Sequence, residues 1–148
     1  APTSTRVLGD VRGDPVEIVA VFAPSDRGEF EAERFGVVVR RSPDGEEQTR
    51  VVFDARAKRI WIDRTRSSLD PKVYRGSRPD RGRFALSRGE ALRLHVFVDR
   101  SVLDVFANER AAGTTRIYPS RSDSLGIDLF AEGGTVRMRS VDVWELRF

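Results

Sequence analysis

The sequence predicts an all-β domain built as a two-sheet antiparallel β-sandwich. About nine short segments alternate apolar and polar residues, turn residues separate them, and no sustained 3.6-residue apolar period runs anywhere in the 148-residue chain. In order, VEIVAVF (16–22), FGVVVRR (35–41), QTRVVFD (48–54) and RIWID (59–63) carry β-branched and aromatic residues at period two. LRLHVFVD (92–99) and VLDVFAN (102–108) form the most regular pair, and GTTRIYP (113–119), LGIDLFAE (125–132) and TVRMRSVDVWEL (135–146) complete the set. PSDRG, SPDGE, RPDRG and EGG stand between them, where Pro, Asp and Gly supply the angles of tight turns. Many half-buried strands must share one core, and two packed sheets are the economical way to do so.

Alternation assigns faces. Leu92, Leu94, Val96 and Val98 point one way, with Arg93, His95 and Phe97 opposite; Leu103, Val105 and Ala107 share a face, with Val102, Asp104 and Phe106 on the other. Joining the two apolar faces requires an even loop, either Asp99–Arg100 or the four residues 99–102. Asp104 then falls on the mixed face beside His95 or Phe97, near Arg93, where an ion pair would satisfy it. The longest irregular stretch, residues 64–83, is of a length that often carries function. IWIDRT (60–65) echoes VFVDRS (96–101), which reads equally as a small repeat or as recurrent strand-end chemistry.

The chain is of single-domain length, 1–148, with about 1–13 expected as an N-terminal lead-in or linker. It begins at Ala1, which suggests a processed product or a piece of something longer. Its 26 basic residues nearly match 23 acidic ones, giving a net charge of only +3, and they are spread evenly. That pattern argues against a nucleic-acid partner, and no apolar run approaches the roughly 20 residues of a membrane helix. There is no cysteine and one histidine, so disulfides, thiolate chemistry and imidazole-rich zinc sites are excluded and no cofactor is expected. Ser101, His95 and Asp99 can be written as a triad, but His95 and Asp99 lie on one strand and G-x-S-x-G is absent.

The string LRLHVFVDRSVLDVFANERAAGTTRIYPSRSDSLGIDLFAEGGTVRMRSVDVWEL resembles the C-terminal β-sandwich of glycoside hydrolase family 32, the invertases, inulinases and levanases. The shared pattern is Asp99-Arg100-Ser101, the strand Val102–Asn108, the run Thr114–Pro119 and a terminal strand with Trp144; VEIVAVF, FGVVVRRS, EEQTRVVFD and IDRTRSSLD follow the family's order. Asp104 stands where the family usually has Glu, and NERAAG replaces an Asn-Asp-Gly type of turn. The family's catalytic motifs, Asn-Asp-Pro, Arg-Asp-Pro and Glu-Cys, belong to a preceding five-bladed β-propeller, and none occurs in this chain.

The resemblance therefore implies a jelly-roll or concanavalin-like sandwich that is not an enzyme by itself, with a catalytic β-propeller domain as partner and an extracellular setting. Related sandwiches, the carbohydrate-binding module family 66, bind the terminal fructose of fructans. A fructose ring offers many hydroxyls and little flat apolar face, so acceptors paired with arginine donors are the expected chemistry. The candidates are Asp63 with Arg64 and Asp99 with Arg100, then Glu47 and Arg116, with Tyr118 or Tyr74 as an aromatic wall. Trp61 and Trp144 are expected in the core. The alternative is a purely structural domain that stabilises the propeller, with these charges serving only the turns.

Overall fold

The computed structural model describes residues 3–12, 15–75 and 81–146, with backbone alone for 3–12. Eleven strands are present among them: β1 (Thr3–Arg12), β2 (Val16–Ala23), β3 (Arg34–Arg41), β4 (Thr49–Asp54), β5 (Arg59–Asp63), β6 (Gly82–Arg83), β7 (Leu92–Asp99), β8 (Val102–Ala107), β9 (Ala111–Arg116), β10 (Gly126–Glu132) and β11 (Arg137–Glu145). They form a six-stranded sheet ordered β1-β10-β3-β4-β5-β6 and a five-stranded sheet ordered β11-β2-β7-β8-β9, antiparallel throughout. The expected sandwich is the observed one.

Between the sheets, each inner face supplies alternate residues of its strands. Ile18, Ala20 and Phe22 of β2 and Leu92, Leu94 and Val96 of β7 meet Phe35, Val37 and Val39 of β3 and Val51 and Phe53 of β4. A chain of rings crosses one end: Phe22 to Phe35 at 5.1 Å, Phe35 to Phe53 at 5.5 Å and Phe53 to Phe84 at 6.0 Å between centroids. Tilted and edge-on contacts at these separations favour the ring quadrupoles as well as burying area. A smaller cluster on the outer face of the six-stranded sheet, Val38, Val52, Trp61 and Phe130, is covered by Arg34 and Arg81 over Trp61 and by Arg50 over Phe130.

The register of the β7–β8 hairpin is the four-residue alternative. Val98 faces Leu103 and Asp99 faces Val102, leaving Arg100 and Ser101 as the turn. Arg100 takes the left-handed conformation, φ 53°, that lets a two-residue turn follow the twist of its strands.

Several expectations are corrected. Residues 1–13, read as a lead-in, include strand β1, which is held by its ladder to β10; Thr, Arg, Asp and Gly in TSTRVLGDVR hide that from an apolar-alternation reading. The strand expected at 113–119 runs from Ala111 to Arg116 instead. Asn108 and Glu109 both adopt positive φ and reverse the chain earlier, while Asn108 accepts from the Arg93 amide at 2.6 Å and donates to the Ala91 carbonyl at 2.9 Å. Trp144 is 48% exposed rather than in the core. It lies on the outer face of the five-stranded sheet, in the row Trp144, Glu17, Phe97, Asp104, Thr114. Asp104 accepts from the Thr114 hydroxyl at 2.6 Å, so a hydroxyl and not an arginine satisfies it.

β3 and β4 approach closely at Gly36, where an added Cβ would sit 1.8 Å from the Val51 carbonyl oxygen. Gly36→Ala is expected to lower stability by about 3 kcal/mol because the ladder must open to admit a methyl group. Gly113→Ala, whose Cβ meets nothing within 4 Å, should be close to neutral. Urea unfolding midpoints of the two variants check this contrast.

Candidate functional site

One end of the sandwich gathers most of the residues singled out by sequence. There β5 stops at Asp63, the β7–β8 turn presents Arg100 and Ser101, and β9 stops at Arg116. Arg64 Nη1 donates to the Arg116 carbonyl at 3.2 Å, Arg116 Nη1 donates to Ser101 Oγ at 3.4 Å, and the Ile117 amide donates to the Ser101 carbonyl at 2.8 Å. These bonds tie the end of one sheet to the end of the other. Arg64, Ser101 and Arg116 thus share one rim, with Arg100 beside Ser101.

The carboxylates are arranged differently from the expected Asp–Arg pairs. Asp63 Oδ1 accepts from the amide and the hydroxyl of Thr65, at 3.0 and 2.7 Å, which makes it a turn-forming acceptor. Asp99 is exposed at the hairpin tip. It lies two strands from Arg116, with Val102 between them in register, so about 10 Å separates their backbones. Tyr118 is 49% exposed just past the rim, while Tyr74 is exposed in the loop after β5. The echo between IWIDRT and VFVDRS ends in two unlike turns, a side-chain-capped loop at Asp63 and a hairpin at Arg100. Residues 76–80 of the expected 64–83 loop lie outside the described residues.

Glu47 does not belong to the rim surface. It is fully buried, and its carboxylate accepts from the Leu69 amide (2.9 Å), the Ser120 amide (2.8 Å) and hydroxyl (2.7 Å), the Arg121 amide (3.0 Å) and the Ser124 hydroxyl (2.6 Å). With its oxygens taken by protein donors, it presents nothing to a ligand and instead joins the β3–β4 hairpin to the loops after β5 and β9. Burial by itself would raise its pKa; the donors from Ser124, Ser120 and Arg121 outweigh that and hold it at about 2, down from 4.5. Arg121 flanks the clamp, bridging Asp44 at 2.7 Å and Asp123 at 2.6 Å.

Beside the rim, a cleft of about 450 Å³ opens between β5–β6 of one sheet and β8–β9 of the other. Arg64, Arg75 and Arg83 reach it from the six-stranded side, and Gly113 and Thr115 face it from β9. Of these only Arg64 was singled out in the sequence. The signal available was AAGTT, an edge strand with small residues at its inward positions, where its neighbour β8 carries Leu103 and Val105. Among the described residues no group of three or more His, Asp or Glu could hold a metal ion.

Residues 2–145 match the family described as "Glycosyl hydrolases family 32 C terminal". The chain belongs to that family. It is 34% identical over 157 residues to the levanase of Bacillus subtilis, an alignment covering 99% of this chain and 21% of the levanase. It is 34% identical over 123 residues to the extracellular exo-inulinase of Aspergillus awamori, covering 78% of this chain and 21% of that protein. A crystal structure of exo-inulinase from the same organism superimposes with a TM-score of 0.78 at 25% identity, covering 99% of this chain and 26% of that one. The carbohydrate-binding module CBM66 from Bacillus subtilis shares the fold, with a TM-score of 0.67 at 10% identity over 95% of this chain and 81% of that one.

This chain thus spans about a fifth of the length of its family 32 relatives and corresponds to their C-terminal sandwich. The family's catalytic site lies in the separate N-terminal propeller, so this sandwich carries no catalytic centre of its own.

The Glu47 clamp sets a pH dependence. A carboxyl whose pKa falls on folding adds stability that is complete above its unfolded value near 4.5 and is lost as pH drops towards about 2. Glu47→Gln is expected to cost about 3 kcal/mol at neutral pH, because an amide places N–H groups against donors. It should also flatten that share of the acid loss, and melting curves of both proteins between those pH limits test it.

Proposed function

We propose that this chain is a non-catalytic sandwich that recognises fructan, or its terminal fructose, beside the catalytic β-propeller of a secreted β-fructosidase. The observation that carries this reading is the rim, where Arg64 donates to the Arg116 carbonyl and Arg116 to the Ser101 hydroxyl, joining the ends of both sheets beside an open cleft that Arg64 also lines. Guanidinium donors at such a rim suit a ligand rich in hydroxyl acceptors, and the half-buried Asp63 and exposed Asp99 supply acceptors for its hydroxyl hydrogens. Tyr118 flanks them as the aromatic wall. The levanase and exo-inulinase relatives act on fructans by name, and the shared fold with CBM66 supports a binding role. The extracellular relative supports secretion.

A second reading, a purely structural domain, is favoured by the outer face of the five-stranded sheet. Phe106, 39% exposed, packs with Phe97 and His95 there, and Trp144, 48% exposed, stands on the same face beyond Glu17; exposed aromatic side chains gathered on one face mark a contact face. The propeller would cover it.

Calorimetric titration with levan, inulin, sucrose and fructose separates the two. Binding in the millimolar range or tighter, weakened about 10-fold by Arg116→Ala with an unchanged melting temperature, is the expected result. Silence towards all four sugars up to about 10 mM would leave the structural reading in place.

A further inference from the structure

Among the described residues, the sandwich has an open corner at its β6 and β9 edges. Inward-facing Ala111, Gly113 and Thr115 on β9 stand in register with Ala107, Val105 and Leu103 on β8, so the edge strand is small or polar where its neighbour is apolar. An added Cβ on Gly113 would meet nothing within 4 Å. Protein interiors are packed like molecular crystals, so an open corner of about 450 Å³ forgoes contacts that larger side chains would supply. Its volume lies in the range of small-molecule sites.

Three arginines reach this corner. Among the described residues, Arg34, Arg41, Arg50, Arg56, Arg93, Arg110, Arg121 and Arg137 pair with carboxylates. The three that line the cleft do not; Arg59, Arg66, Arg88 and Arg116 likewise donate to carbonyls or a hydroxyl, and what marks the cleft is that three such arginines meet at one concavity. Arg64 and Arg75 donate only to the carbonyls of Arg116 and Ser68, and Arg83 has no hydrogen-bond or ion-pair partner among the described residues. No Asp or Glu lines the cleft among those residues either. Three cations around one concavity, with no acidic residue among its described lining, raise its potential, and guanidinium forks match the oxygens of phosphate and carboxylate groups.

We propose that this cleft binds a small anionic sugar, whose phosphate or carboxylate group pairs with Arg64, Arg75 and Arg83 while its ring rests against Ile60, Ile62 and Val105. Thr115 adds a hydroxyl on the opposite wall. The site goes beyond the neutral-fructan reading and shares only Arg64 with it.

Titration of the purified chain at low salt with fructose 6-phosphate, inorganic phosphate, galacturonate and fructose tests the proposal. At least one sugar anion should bind about 10-fold more tightly than fructose, with affinity falling as salt rises. The phosphate and carboxylate sugars distinguish the two sources of the anion, and inorganic phosphate reports how much of the affinity needs the ring. Gly113→Phe, which fills the corner, should abolish binding without lowering the melting temperature; Arg83→Gln, at an exposed position, should weaken it about fivefold. No binding of any anion up to about 10 mM would overturn the proposal, as would binding that Gly113→Phe and Arg83→Gln both leave unchanged. Fructan binding without anion binding would overturn this inference alone, and anion binding without fructan binding would remove the fructan reading alone.

Discussion

Hydrogen-bond donors from two loops converge on the buried carboxylate of Glu47, itself carried by the β3–β4 hairpin, and the geometry of the sandwich end depends on that convergence. Leu69 belongs to the segment that follows Arg64 and leads to Arg75; Ser120, Arg121 and Ser124 belong to the segment that follows Arg116 and Tyr118. Neither segment is held by a sheet ladder. A buried charge left without donors would be strongly unfavourable, so the carboxylate and its loops order one another. A residue resembling a sugar ligand in sequence therefore acts one layer beneath the surface, positioning the arginines that reach solvent.

Packing across the sandwich is uneven, and the unevenness has a direction. At one end Phe22, Phe35, Phe53 and Phe84 fill the space between the sheets ring against ring. Along the β6 and β9 edges the chain supplies a two-residue strand and a run of Ala, Ala, Gly, Thr and Thr. The dense end provides the burial that makes a domain of this size stable, and that surplus allows the open edge to stay open. Close backbone approach at Gly36 and the empty space at Gly113 are the two extremes of this gradient.

The arginines divide along the same line. Many of those away from the cleft hold carboxylates, as Arg34 holds Asp54 at 3.0 Å and Arg50 holds Glu132 at 2.8 Å, while others, such as Arg59 and Arg66, donate to carbonyls. Such pairs contribute little to stability when exposed but keep a heavily charged surface balanced. Among the described residues, Arg64 and Arg75 of the cleft bond to carbonyls and Arg83 to no side chain or carbonyl, so no carboxylate there takes up their charge. A nearly balanced total of 26 basic and 23 acidic residues thus conceals a local imbalance.

Fold class, the nine principal strands and the even register of the β7–β8 hairpin were legible in the sequence, because alternation at period two is a local property and burying one face of each strand permits few arrangements. The Asp-Arg-Ser turn and the Thr114–Pro119 run likewise carried the family. Strand β1 was not legible, since its pairing with β10 rests on backbone groups that its side chains do not advertise. Nor was the division of labour among the charges. Glu47 and Asp99 look equivalent as letters, yet the folded chain surrounds one with donors and leaves the other at a hairpin tip. Trp144 looked like core because tryptophan usually is, and its register against Glu17 turns it outward. The sequence by itself determined which residues alternate, and so the sheets and their inner faces. Only the tertiary structure decided which loops meet at one end, which arginines lack a carboxylate and where the interior is left open, because these depend on contacts between segments far apart in the chain.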